Sequence, residues 1–172
     1  MRDQPVVLAV ASYASRAAAD SDFESLWSSD RLSGSDHLTA ALVEKGTSGE
    51  LEINSHRSTA TDLAWGIALL GGALTTVAAP LGVFYLASGL SSSAEWAGAA
   101  AIVGRFWNQI PRDKLRSMSN LLEAGQTGLV VVAIADDNEG LMGCLSGASS
   151  RVVSESMLVD LVSDFTRAAG TK

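Results

Sequence analysis

The chain has a single cysteine, Cys144, so no internal disulfide and no cysteine-built metal cluster can form. One free thiol fits a reducing compartment. Aromatic residues are scarce at 6%, so the 47% apolar content is carried by Ala, Val and Leu. Basic residues are also few: 12 Lys and Arg against 19 Asp and Glu give a net charge of -7. A nucleic-acid partner normally needs a basic stripe, and none is visible, so that class is set aside. The N-terminus MRDQPVVLAVASYAS has a short apolar run and an early Asp3, which argues against a cleaved signal peptide.

Catalytic and cofactor motifs are equally sparse. His37 and His56 are the only histidines. With Asp62 near them they fall short of the three or four ligands and the supporting shell that a metal site requires. No Gly-x-Ser-x-Gly elbow stands with a histidine and an acid at credible places. Gly140–Gly147 (GLMGCLSG) is glycine-rich, but it lacks the Lys-Ser/Thr of a phosphate loop and the dinucleotide fingerprint, and it reads as a closely packed helix. Cys144 inside it, flanked by Leu141, Met142 and Leu145, reads as a buried, inert thiol. Asp136-Asp137-Asn138-Glu139 has no calcium-loop spacing and reads as a solvated turn. No catalytic, cofactor-binding or metal-binding residue is therefore assigned, and no cofactor is expected.

What the sequence does contain is a clear succession of elements. Val6–Tyr13 is a short apolar, β-branched run and predicts a buried strand. Ser15 offers an N-cap for a helix with Ala19, Phe23, Leu26 and Trp27 at helical spacing. Asp20, Asp22 and Glu24 fall on other faces, and the helix ends near Ser33-Gly34. His37–Lys45 and Glu50–Ser55 predict a hairpin around the turn Gly46–Gly49. Pro111 is a natural helix start, Leu115, Met118, Leu121 and Leu122 form its apolar face, and Gly125 supplies a stop. Thr127–Ala135 is the strongest strand pattern in the chain. A short helix around 140–146 follows, then a small edge strand at 150–153. A last amphipathic helix carries Met157, Leu158, Leu161, Val162 and Phe165.

Between the hairpin and Pro111 the composition changes. No charged residue occurs from Leu63 to Ala94; Glu95 interrupts once, and Trp96 to Gly104 is again uncharged. Pro80 in the middle predicts a turn between two helices, roughly 62–79 and 81–107. Small residues recur every four positions: Ala64, Ala68, Gly72 and Thr76 in the first arm, Ala94 and Gly98 with Ala97 and Ala101 in the second. Residues four apart share a helix face, and such a seam lets two backbones approach closely. Trp65, Trp96 and Trp107 are candidate interface anchors or ordinary packed aromatics. Arg57, Arg105, Arg112, Lys114 and Arg116 flank the stretch on what would be one side, the cytoplasmic one by the positive-inside rule. Glu95 speaks against full insertion, since a carboxylate at mid-bilayer costs about 2.5–3.5 kcal/mol.

Without residues 60–107 the order is strand, helix, strand, strand, helix, strand, which predicts a ferredoxin-like α+β sheet of the form βαββαβ. The expected division is 1–57 and 109–172 as the two parts of one α+β domain, with 58–108 as an apolar helical hairpin inserted between strand 3 and helix 2. A single membrane crossing would strand the two parts on opposite sides, so the insert is expected to fold back. The two helices cover one face of such a sheet, yet the apolar runs of Val6–Val10 and Leu129–Ala135 want cover on both. The second face is therefore expected to meet the partner's sheet, the hairpin or the last helix, a homodimer with sheets face to face being the simplest answer.

Four stretches together resemble an uncharacterised group of bacterial, often actinobacterial, proteins predicted to be membrane proteins. They are Val10–Phe23, Val43–Gly46, the apolar insert with Pro80, and Ile110–Val132 (IPRDKLRSMSNLLEAGQTGLVVV). The resemblance implies a small α+β domain with a glycine-zipper-like hairpin and self-association, and it carries no active-site residues across. The second arm departs from the glycine-rich pattern at Phe84, Tyr85, Ser91–Ser93 and Glu95.

Two functional expectations follow. The first is a non-enzymatic protein that associates with itself as a homodimer or higher oligomer and meets membrane lipid through the hairpin, its α+β domain being cytoplasmic. The second is a soluble, cytoplasmic regulatory or small-ligand-binding module whose hairpin is buried in an oligomer.

Overall fold

The computed structural model describes residues 5–29, 38–47, 51–58, 111–134 and 138–157. These form five strands and three helices: β1 (Pro5–Tyr13), α1 (Arg16–Ser28), β2 (Leu38–Lys45), β3 (Leu51–Ser58), α2 (Arg112–Ser119), β4 (Thr127–Ile134), α3 (Asn138–Cys144) and β5 (Ser150–Met157). The chain is α+β, with one sheet in the order β3-β2-β4-β1-β5 and every neighbouring pair antiparallel.

The starts and stops of these elements follow from local chemistry. Ser15 caps α1, its hydroxyl accepting the Ala18 amide at 3.3 Å, as expected for an extended residue before a helix. The helix stops at Ser28, several residues before the glycine that was to end it; residues 30–37 lie outside the described part. Pro111 stands at the N-cap of α2. That helix is also shorter than its apolar spacing suggests: it ends at Ser119, and Leu122 packs from the following loop. Gly125 lies in this loop with φ +82, a left-handed conformation open to glycine, and its amide donates to the Lys45 carbonyl.

The sheet order gives the strands a grammar of their own. β1 and β2 run parallel, joined through α1, with β4 inserted between them. β4 and β5 run parallel, joined through α3, with β1 between them. Two split βαβ units are thus interlocked. Two roles differ from those expected. Thr127–Ile134 is central, and the helix that connects it onward is α3, while α2 lies outside both crossovers. The supposed small edge strand at 150–153 extends to Met157 and pairs with β1 along Pro5–Ser12. Composition explains both. TGLVVVAI needs cover on both faces and takes the centre, whereas SRVVSESM is polar enough for an edge. β2 and β3 form the expected hairpin, with a register shift at Leu42/Val43, and β3 is the other edge.

One face of the sheet carries Val7, Ala9, Ala11 and Tyr13 of β1, Leu38, Ala40 and Leu42 of β2, and Leu129, Val131 and Ala133 of β4. These pack against Ala19, Phe23 and Leu26 of α1 and Leu141, Cys144 and Leu145 at α3. The second face carries Val6, Leu8, Val10, Ala41, Val43, Val130 and Val132, each at most 1% exposed. This face is covered, as its apolar residues require, and the cover comes from within the single chain. Leu122 reaches it across Gly128, where an ideal Cβ would come within 2.7 Å of either Leu122 methyl.

Strands β1 to β3 precede the apolar insert and β4 and β5 follow it, yet β4 lies between β1 and β2. Both flanks therefore build one sheet. The insert itself, with the packing seam Ala64, Ala68, Gly72, Thr76, Ala94 and Gly98 and the turn at Pro80, lies outside the described residues. So do Leu158, Leu161, Val162 and Phe165 of the expected last helix; Met157 closes β5. Among the described residues no helix is long and apolar enough to cross a membrane.

Candidate functional site

The most concentrated polar chemistry in the described structure lies where β1 ends. Tyr13 is the last residue of β1, and its side chain turns toward α1. There its hydroxyl donates to Asp22 Oδ2 at 3.0 Å. The same carboxylate oxygen accepts the Gly147 amide, in the turn after α3, at 2.9 Å. Asp22 is only 5% exposed and Tyr13 2%. Gly147 permits the approach: a Cβ there would meet Asp22 Oδ1 at 3.1 Å. One carboxylate thus ties β1, α1 and the α3–β5 turn together. Beside it, Ser149 donates its amide to the Ser12 carbonyl at 2.8 Å. Arg151 donates to the Leu145 and Met142 carbonyls at 3.0 and 3.4 Å, where α3 runs out of internal partners.

Burial raises the Tyr13 phenol well above its ordinary value, and the hydrogen bond to Asp22 and that residue's negative charge push the same way; only Arg151 opposes them. The sign of the resulting linkage is definite. Below the ordinary value of 10.0 both folded and unfolded chains hold the phenol proton, and stability is unaffected. Above it the unfolded chain releases the proton while the folded chain keeps it, so stability falls by about 1.4 kcal/mol per pH unit. Urea unfolding between pH 9 and 11 is expected to show this fall, and Tyr13→Phe is expected to remove that component. An unchanged slope in the variant would mean that Tyr13 ionises freely in the fold.

The cluster latches three parts of the fold together, one oxygen of its acid being engaged by two donors from its own chain. The apolar spacing of α1 was expected to leave Asp22 on another face, with Asp20 and Glu24. The spacing Ala19, Asp22, Phe23, Leu26 is in fact i, i+3, i+4, i+7, which places the aspartate within the apolar stripe. A polar residue at that position is the signal that was available.

His56 is exposed on β3, opposite Ala41 of β2; His37 and Asp62 lie outside the described residues. Cys144 is buried, and its thiol lies 3.7 Å from the Ser25 carbonyl. GLMGCLSG does form a helix over its first part, α3, with Glu139 in the first turn; Asp136 and Asp137 are outside the described residues. Among the described residues no three His, Cys, Asp or Glu side chains are grouped to hold a metal ion. A second polar cluster sits over the sheet, where Arg57 lies 5.4 Å from the Trp27 ring centre and 3.7 Å from Glu24.

One shallow, open groove of about 460 Å3 runs beside β5. Its walls include Lys114 and Ser117 of α2, Met142 of α3, and Arg151, Val152 and Val153 of the strand itself. It has an apolar floor and charged rims, and it follows the outer edge of the sheet. No family model, no curated protein and no solved structure matches this chain.

Proposed function

We propose that the chain is a non-enzymatic, self-associating protein. In this reading a ferredoxin-like domain on the cytoplasmic side is held at a membrane by the apolar segment between β3 and α2. The ferredoxin-like core is β1-α1-β2-β4-α3-β5, and β3, residues 59–110 and α2 are inserted between its β2 and β4. The observation that carries the reading is the shared sheet. Chain from before the insert (β1) pairs with chain from after it (β4) over Val6–Tyr13 and Thr127–Ile134. Any part of 59–110 that enters a bilayer must therefore come back out on the same side. A charge-free run of this length, broken once by Pro80, suits a pair of arms better than one rod.

The small-residue seam Ala64, Ala68, Gly72, Thr76 against Ala94 and Gly98 gives those arms a way to pack without any hydrophobic drive from water. The resemblance to bacterial predicted membrane proteins points the same way. Membrane fractionation tests the anchor. The full chain is expected in the membrane pellet through high-salt and alkaline washes and to be released only by detergent. Release by salt, or recovery as a monodisperse oligomer without detergent, would favour the soluble oligomeric module instead.

A further inference from the structure

We infer that two copies of this chain join along the outer edge of β5, which no described strand pairs, with a two-fold axis at Val153, so that one antiparallel sheet runs through both domains. This rests on the self-association proposed above and says where it occurs. Among the described residues the faces of the sheet are poor candidates, because both are already buried within one chain along β1, β2 and β4. Strand edges remain. β3 is irregular, with a register shift against β2, and carries Glu52, His56 and Arg57 exposed. Such features blunt an edge against pairing. β5 is regular along its whole pairing with β1 and flanked on its outer side by the open groove.

The register follows from geometry and charge. Residues facing each other across an antiparallel pair share one face of the sheet, so the two-fold axis must pass through a residue position. An axis at Val153 sets Ser150 opposite Ser156, Arg151 opposite Glu155 and Val152 opposite Ser154, and overlaps nearly the whole strand. An axis at Arg151 or Glu155 sets like charges against each other. One at Val152 or Ser154 leaves both charged residues without an opposite charge. Only Val153 brings Arg151 and Glu155 of different copies together, twice by symmetry. Positions 151 and 155 face Ala11 and Val7 of β1, so both belong to the same side of the sheet. Within one strand they are about 13 Å apart. Any strong coupling between them therefore arises between copies.

The test labels the full-length protein in detergent and follows energy transfer between copies over a dilution series. Arg151→Glu makes both cross-strand pairs acidic, and Glu155→Arg makes both basic. Each variant alone is expected to dimerise about tenfold more weakly than the unaltered protein. A mixture of the two variants restores opposite charges at both pairs, and its affinity is expected to return to within about threefold of the original. Arg151 also bonds the end of α3, so Glu155→Arg, which leaves those bonds intact, serves as the independent variant. Circular dichroism confirms that each is folded. Unchanged self-affinity in Glu155→Arg, or no gain on mixing, would overturn the β5 interface while leaving self-association in place. Absence of energy transfer in the unaltered protein would overturn both.

Discussion

Asp22→Ala is expected to destabilise the folded domain by about 3 kcal/mol, and Asp22→Asn by about 1 kcal/mol. The difference is the diagnostic. Asp22 Oδ2 accepts from both the Tyr13 hydroxyl and the Gly147 amide; Tyr13 and Asp22 are buried, while Gly147 is an exposed turn residue whose bond is part-buried. Alanine leaves the buried Tyr13 hydroxyl without an acceptor, which costs about 1–3 kcal/mol, and adds the loss of a charge-assisted bond to the Gly147 amide, which lies near water. Asparagine retains an oxygen at the site and loses chiefly the assistance of the charge. Tyr13→Phe removes one donor together with its need for a partner and is expected to cost about 1 kcal/mol. Urea unfolding of the three variants checks the order Ala, then Asn and Phe. Equal and small losses in all three would mean that Asp22 is hydrated and that the latch contributes nothing. Because the carboxylate joins β1 to the turn leading into β5, the alanine variant is also expected to exchange the Gly147 amide faster than the amides of β4.

The alternation and length of the apolar runs made most of the sheet legible in advance. β1, β2, β3 and β4 fall close to their expected places, the Ser15 cap is where the sequence puts it, and the α+β class follows. What the pattern did not reveal was which strands cross. Chain order alone suggested that 111–125 was the crossover helix, because its apolar spacing is longer than that of 138–144. The choice is made by the sheet: β5 has only Val152 and Val153 at its centre, yet eight consecutive residues find partners on β1. Pairing of this kind is a tertiary event and leaves no local periodicity. Helix ends were overextended for a related reason. Leu122 looks like another turn of α2, but it is buried from a loop, against a glycine of β4 that no helical spacing would single out. The polar latch was missed by weighting charge over position. Asp22 sits at i+3 from Ala19 and i−4 from Leu26, and the apolar stripe accepts it because Tyr13 and Gly147 supply donors from distant parts of the chain. The candidate sites fared unevenly. His56 proved exposed and Cys144 buried, while the seam and its proline belong to a segment outside the described residues.

Val132→Asp is expected to prevent folding as completely as Val131→Asp. The two residues are neighbours on the central strand and point to opposite faces, Val131 beneath α1 and α3 and Val132 to the other side. A sheet covered by helices on one face and by a second copy on the other would treat them differently. Asp at 131 would unfold it, and Asp at 132 would give a folded monomer. Both positions are fully buried in the single chain, so neither carboxylate would reach water. An unpaired buried carboxylate costs at least about 4 kcal/mol even after its pKa rises to neutralise it, close to the whole stability of a domain of this size. Circular dichroism and proteolysis at matched concentrations separate the outcomes. Collapse of both variants places the second face inside the folded chain and takes it out of the surfaces open to a second copy. A folded, monomeric Val132→Asp protein would return the contact to the face of the sheet and remove the reason for placing it at β5.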